Sequence, residues 1–359
     1  MSAHSVVSST RSASVSAARW DAFVRQHSRG HILQTTGWGR LKSRHGWQSA
    51  QAALQNTRGD LLSVALVLTR RLPYGLGRIA YVPHGPVVNW DNLNLTRETL
   101  RATIQVAHAQ RAFAVVIEPD LIDTPYDRRQ LAQHGLRPLS FHAQPRCTIW
   151  VNLDVDEEVD LLSAMKQKTR YNIGLARRRG VQVRVGTAED APLFYQLMRD
   201  TAERDQFSIF PAEYYRDFLD IFLADDAARL LIAEYDGEPL AALIVSSIGQ
   251  RATYLYGAST NTYRELMPTY LLQWEAMRWA RARGCNTYDL WGIPDEDEAA
   301  LEAHFETRSD GLWGVYRFKR GFGGQVVRYI GAWVAVLSPL RWWLYEKAQA
   351  LRKTSGLTA

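Results

Sequence analysis

The sequence predicts an α/β (α+β) protein built from two tandem, duplicated units. Its 359 residues are too many for one typical core and suit two. An order of strand, turn, helix and strand occurs at roughly 79–118 and again at 251–293. The ends of the two helices also look alike, "AHAQRAFAVVIEP" beside "ARARGCNTYDLWGIP". Duplication accounts for both facts. Two unrelated strand–helix–strand units would account for the order alone, because that order is common.

The elements follow in chain order. Residues 1–18 are Ser-rich, lack the apolar core of a secretory signal and read as a disordered tail; poverty in acids with one Arg is the only likeness to a transit peptide. "ARWDAFVRQHS" reads as a helix, and a second, short helix is expected near Trp38 to Arg44. "SAQAALQ" and "LLSVALVLTRRL" read as strands around the turn "NTRGD". "RIAYVPHGPVV" is a strand that stops at Gly-Pro. "TRETLRATIQVAHAQRA" has helical periodicity, with Thr96 as the expected N-cap and Glu98 in the first turn. "FAVVIEPD" is a buried strand ending at Pro119.

The second half opens on "CTIWVNLDVDEEVDLLSAM", a strand feeding a helix with acids in its first turn, where the helix dipole favours them. A basic segment comes next, followed by the strand "VQVRVG" and helices over "AEDAPLFYQLMRDTAERD" and "AEYYRDFLDIFLAD". "ARLLIAEYDGEPLAALIVSSIG" is a hairpin around Asp236-Gly237. "RATYLYGAST" is a strand, and Pro268 and Gly284 bracket a helix before the strand "NTYDLWGIP". "SPLRWWLYEKAQALRK" is an amphipathic helix with two open placements: folded back on the first unit, or lying on a membrane surface.

Composition excludes several function classes. Hydrophobic residues make up 46% and charged residues 22%, an ordinary globular balance. A net charge of +6 and a pI of about 9.3 permit an anionic partner without requiring one. Cys147 and Cys285 form neither a metal pattern nor a disulfide framework, which fits a reducing compartment. The longest apolar run, Tyr329 to Leu340, contains Pro339 and falls short of the roughly 18 residues of a membrane span. A cytoplasmic protein is therefore expected. There is no Walker A, G-x-G-x-x-G, HExxH or GxSxG motif. The turn "STNTYRELMPTYL" lacks the glycines that would let amides wrap a pyrophosphate, which disfavours a conventional acetyl-CoA enzyme. His31, His45, His84, His108, His134, His142 and His304 share no ligand spacing. No metal and no cofactor is expected.

One segment carries an unusual load of charge. "MKQKTRYNIGLARRRG", Met165 to Gly180, holds Lys166, Lys168, Arg170, Arg177, Arg178 and Arg179 and no acid. On a helix, Lys166, Arg170 and Arg177 fall near one line, and Leu162, Met165, Ile173 and Ala176 on another face. A solvated face is the bland explanation, and cations near a helix C-terminus also suit its dipole. The alternative is a polyphosphate such as RNA bound from outside.

Several phrases, taken in order, resemble the Fem-type aminoacyl-tRNA-dependent peptidyltransferases (FemA, FemB and FemX), which build peptidoglycan cross-bridges. They are "LQTTGWGRLKSRHGW", "HGPVV", "KTRYNIGLARRRGV", "YLYGAST" with "MPTYLLQWEAMRWARARGCNTYDLWGI", and "GVYRFKRGFGG", and they span nearly the whole chain after the tail. The resemblance implies tandem domains similar to GNAT acetyltransferases, here in a compact form without a long helical hairpin. Domain 1 is expected at 19–147, joined by the C-terminal segment 330–359, and domain 2 at 148–329. The implied reaction moves an amino acid from aminoacyl-tRNA to an amine on the stem peptide of a muramyl precursor, UDP- or lipid-linked. The enzyme then needs positioning and oxyanion stabilisation more than a catalytic triad.

The resemblance also assigns residues. Lys319 matches a lysine near the transfer centre, where a cation steadies the oxyanion. Lys42, with Trp38, matches a lysine that contacts the precursor's diphosphate. Tyr254 and Tyr256, read as projecting from one face of their strand, match an acceptor-site tyrosine between them. Tyr214 keeps a family tyrosine, but Phe210 stands where the family often has an arginine, leaving Arg204 or Arg216 to replace it. His84 likewise stands where an Arg is common. Lys166, Lys168, Arg170, Arg177 and Arg178 would face the phosphates of tRNA. A monomer is expected. Two rivals stay open: a GNAT-like N-acyltransferase with another donor and a small-molecule or exported-metabolite acceptor, and a non-catalytic RNA- or membrane-binding protein.

Overall fold

The computed structural model describes residues 15–354. The expected tail lies outside these residues as far as residue 14, and from Ala17 the chain is helical. The chain divides into two compact units; one runs to Gln144 and resumes at Tyr329, and the other is Pro145–Arg328.

In the first unit α1 (Ala17–Gln26) and α2 (Thr36–Arg44) precede β1 (Gln48–Gln55), β2 (Leu61–Leu72) and β3 (Gly77–Pro83). Then come α3 (Leu93–Ala109), β4 (Ala112–Glu118), α4 (Pro125–Gln133) and the short β5 (Arg137–Pro138). The second unit contains β6 (Cys147–Asn152), α5 (Glu158–Ser163), α6 (Gln167–Arg178), β7 (Gln182–Val185), α7 (Ala191–Asp205) and α8 (Ala212–Ala224). It continues with β8 (Ala228–Tyr235), β9 (Glu238–Ile248), β10 (Arg251–Ser259), α9 (Pro268–Ala282), β11 (Thr287–Asp289), α10 (Glu298–His304), α11 (Trp313–Lys319) and β12 (Gln325–Arg328). Finally β13 (Trp333–Val336) and α12 (Pro339–Thr354) return to the first unit.

The two sheets share one spatial strand order but not one connectivity, since β13 comes from the C-terminal segment and its counterpart β6 opens the second unit. In the first, β1, β2 and β3 pair antiparallel, β4 lies parallel to β3, and β13 and β5 complete the order β1-β2-β3-β4-β13-β5. In the second, β8, β9 and β10 pair antiparallel, β11 lies parallel to β10, and β6 and β12 complete the same order, with β7 added outside β8. The tandem duplication read from the sequence therefore holds in the order of six strands, with β7 unmatched. No helical hairpin interrupts it among the described residues, where the longest helix is the 17-residue α3. None of the described helices is long and apolar enough to cross a membrane.

Three local expectations change. The N-cap of α3 is Asn92, whose side chain accepts from Leu95 N at 3.1 Å; Thr96 sits buried inside the first turn. Asn is the better cap because its short carbonyl reaches the free amides of that turn. The basic segment is not one continuous helix. Lys166 is extended, its amide donates to Gly321 O at 2.9 Å, and the Arg170 guanidinium donates to Ser163 O and Met165 O at the end of the preceding helix. The strand expected over "NTYDLWGIP" ends at Asp289, because Trp291 takes a left-handed φ of 62° and turns the chain.

Candidate active site

In the second unit a polar centre forms where its sheet opens. β11 pairs with β10 only from Arg251↔Thr287 to Thr253↔Asp289; past Thr253, β10 keeps β9 as its sole strand partner. At that fork Asp289 is fully buried. Its carboxylate accepts from Thr148 Oγ1, from Trp291 N at 2.8 Å and from Trp150 Nε1 at 3.2 Å. Lys319, at the end of α11, is only 5% exposed, and its Nζ donates to Gly292 O at 2.8 Å and Trp291 O at 3.2 Å. The ammonium stands 5.4 Å from the Tyr254 ring centre. Burial pulls the Lys319 pKa down to about 7, and the Asp289 charge partly opposes the fall. Burial pushes the Tyr254 phenol up to about 12, with a bond to Gln273 opposing it. Tyr254 is therefore a neutral hydroxyl and Lys319 a cation that titrates near neutrality.

Glycines place this lysine. A Cβ on Gly321 would fall 2.3 Å from Thr169 Oγ1, and one on Gly324, at φ 86°, 2.3 Å from Trp150 O. The turn after Lys319 thus lies flat against the start of α6 and the β6 backbone, which only glycine permits. It also ties the basic segment to Lys319, through Lys166 N and Gly321 O. Lys166, Lys168, Arg170, Arg177 and Arg178 are all exposed. Arg177, however, pairs with Glu275 of α9 at 2.8 Å, and Arg178 lies 5.8 Å from the Tyr171 ring.

The two strand tyrosines part company. A register shift at Leu255 sets Tyr254 opposite Val245 but Tyr256 opposite Ile244, so the bulge turns their side chains to opposite faces of the sheet. The reading of a shared face is therefore wrong. Tyr254 joins Lys319 and α9. Tyr256 meets α8, with its hydroxyl 3.3 Å from Tyr214 Oη and its ring edge-on to Tyr215 and Phe218. Phe210 stacks on Tyr214 at 4.0 Å and stays 42% exposed. Arg204 bonds Ser259 O at 3.1 Å and Asn261 Oδ1 at 3.0 Å and pairs with Asp205; Arg216 is exposed.

In the first unit, Thr35 caps α2 by accepting from Trp38 N. The spacing of four residues sets the Lys42 ammonium 5.1 Å from the buried Trp38 ring. Burial, and then the Arg70 charge, lower the Lys42 pKa to about 8. A groove of about 990 Å³ elsewhere in this unit is lined by Gly39, Arg40, Ser43, Ala50 and Ala102 and includes none of the residues singled out from the sequence.

Sequence reading missed Asp289, Gln273 and the carbonyls of Trp291 and Gly292. The available signal was an acid inside the apolar run "YDLWGI", since a fully buried Asp is rare unless bonded. No sequence pattern announces a carbonyl partner.

Comparison with known proteins agrees with this architecture. The FemAB family model matches residues 15–134, 132–238 and 230–350. A relative named Lipid II:glycine glycyltransferase, from Staphylococcus epidermidis, is 25% identical over 402 aligned residues, covering 92% of this chain and 93% of the relative. Among solved structures, FemX superposes with a TM-score of 0.82 at 23% identity, covering 92% of this chain and 98% of FemX. A tandem GNAT protein from the clavulanic acid pathway reaches 0.50 at 14% identity, covering 90% and 95%. With its described length matched almost throughout, the chain belongs to the FemAB family of transferases.

Proposed function

We propose that this protein transfers an aminoacyl group from aminoacyl-tRNA to a free amine on the stem peptide of a lipid-linked peptidoglycan precursor. The relatives' name, Lipid II:glycine glycyltransferase, supports the acceptor class and the reaction type. The observation that carries the chemistry is Lys319, buried on two carbonyls at the fork between β10 and β11.

The acceptor amine attacks the ester carbonyl. A C–N bond forms, the C–O bond to the ribose breaks, and the proton lost by nitrogen ends on the ribose oxygen. Two of the three N–H groups of the Lys319 ammonium are held by carbonyls, and the third serves the carbonyl oxygen as it becomes an oxyanion. The carbonyl bonds and Asp289 fix that ammonium before substrate arrives, so it costs little reorganisation in the transition state. Tyr254, neutral at working pH, supports the cation through its ring. Lys42 takes the precursor's diphosphate, with Trp38 beneath it; Tyr214, Tyr256 and Arg204 line the acceptor site. Lys166, Lys168 and Arg178 supply phosphate contacts to the tRNA. The site has no group that must be a strong base, which suits a neutral amine and an activated ester.

The test is incubation with a pool of charged tRNAs and either UDP-linked or lipid-linked muramyl pentapeptide, read by mass spectrometry for an added aminoacyl residue. Product with a precursor supports the reading. Absence of product with both precursor forms, or acylation from a coenzyme A thioester instead, removes it.

A further inference from the structure

One end of the first unit gathers arginines and exposed aromatics from the β2–β3 hairpin, the start of β4 and α12. The turn between β2 and β3 carries Tyr74, which is 90% exposed. Directly behind it, Arg71 of β2 faces Arg78 of β3 in register, and Arg78 stands beside Ala112, the first residue of β4, which Arg111 precedes. Like charges set opposite one another across a strand pair destabilise it, and here they persist. Arg341 of α12 closes the group; its guanidinium lies 3.5 Å from the place a Cβ on Gly77 would take. Among the described residues none of these four arginines forms an ion pair, and Arg78 donates to the neutral Gln48 Oε1 at 2.5 Å.

α12 is two-faced at this end. Trp342 and Tyr345 pack on Phe113 in the core, while Leu340, Trp343 and Leu344 are 70%, 53% and 41% exposed. The Lys347 ammonium lies 5.9 Å from the Trp343 ring. Glu346, on the flank of this stripe, is the sole acid in 339–349.

We propose that the β2–β3 turn and the outer face of α12 form a docking surface for an anionic phospholipid bilayer. Exposed Tyr and Trp rings suit the headgroup layer, where one edge is apolar and the other wet. Leu340 and Leu344 reach the acyl boundary, and Arg71, Arg78, Arg111, Arg341 and Lys347 meet the lipid phosphates. The charge complementarity and the two aromatics arise on different elements, and together they select a flat anionic surface that is also partly apolar. This rests on the reading that the acceptor is lipid-linked, and it names where the enzyme would meet that lipid's membrane.

The test uses the full chain and vesicles containing no precursor. Cosedimentation with phosphatidylglycerol–phosphatidylcholine vesicles is compared with pure phosphatidylcholine. The expected result is binding to the anionic vesicles, weakened about fivefold per cation in Arg71→Gln and Arg341→Gln, and also weakened in Trp343→Ser. Tyr74→Ser, at a solvent-exposed turn, serves if Trp343→Ser fails to fold. Transfer to a soluble UDP-linked precursor should be unchanged in all four. No binding by the parent chain, equal binding by the variants, loss of tRNA affinity in place of vesicle affinity, or a patch-dependent dimer in sedimentation without vesicle binding would each overturn the proposal. Vesicle binding without transfer to any precursor would remove the transferase reading and leave the docking surface standing.

Discussion

Lys319 and Lys42 both have pKa values lowered by burial, and their titrations separate turnover from acceptor binding. Lys319 is cationic below about pH 7 and loses its charge as pH rises through that value. The acceptor amine must be neutral, so its deprotonation gives a rising limb while Lys319 gives a falling one; kcat should follow a bell. Lys319→Met should lower kcat by about a hundredfold or more, the usual cost of one oxyanion donor, with the acceptor KM changed little, and should abolish the falling limb. Unchanged kcat would remove Lys319 from the site. The same shift acts on stability. Between about pH 7 and its unfolded pKa of 10.5 this lysine binds fewer protons folded than unfolded, so it makes the protein more stable as pH rises. Lys319→Met should flatten that slope in denaturant titrations. Lys42, lowered to about 8, keeps its charge to higher pH. Its loss should therefore raise the acceptor KM above about pH 8, and Lys42→Ala should raise it about tenfold or more at pH 7, with kcat preserved. An unaltered KM in steady-state kinetics would detach Lys42 from the acceptor.

Two elements show how far the sequence carries such reasoning. Helix and strand positions were legible because apolar spacing and turn residues are local: β2, α9 and the Asp236-Gly237 hairpin fall where their patterns place them. The bulge at Leu255 was not legible. Period-two reasoning assumes continuous register, and nothing in "TYLYG" marks the slip that sends Tyr254 and Tyr256 apart. The Lys319 turn was half legible, since "RGFGG" announces a tight turn but not the Trp150 carbonyl it must approach. Gly324→Ala should therefore cost well over 1 kcal/mol and depress kcat, whereas Gly284→Ala, at a similar φ of 78° with nothing within 4 Å, should cost only its backbone strain. Equal losses for the two in chemical denaturation would mean the contact is immaterial. The α6 cations were legible as a charge run, but not the Glu275 that engages Arg177 from 98 residues away. Substituting Gln for Lys168 and Arg178 should thus lower the salt slope of tRNA binding by about one per cation, and Arg177→Gln by less. A full unit lost on Arg177→Gln would argue that its ion pair opens to meet phosphate.

At the scale of the molecule the two copies have diverged in one telling respect. In the first sheet β3 and β4 stay paired up to Pro83↔Glu118, the last residue of each strand. There Tyr81 donates to Glu118, which also accepts from Ala143 N at 2.6 Å. In the second sheet the strands part at Thr253, and the proposed transfer chemistry sits at that fork; Lys42, proposed for the precursor's diphosphate, belongs to the first unit. The same comparison predicts a dependence on chain order. The first sheet takes β13 from the C-terminal segment, and β13 alone joins β4 to β5. Its Trp333 and Val334, with Trp342 and Tyr345 of α12, are buried in the first unit's cores. At about 1.5–3 kcal/mol for each such side chain, their loss removes roughly 6–12 kcal/mol, comparable to the whole stability of a typical domain. A chain ending at Arg328 should therefore lose the first unit's cooperative transition in calorimetry, while the second unit, whose strands all lie within 147–328, should keep its own. Survival of both transitions would show that β4 tolerates an open edge and that the returning segment is not needed to hold the first unit.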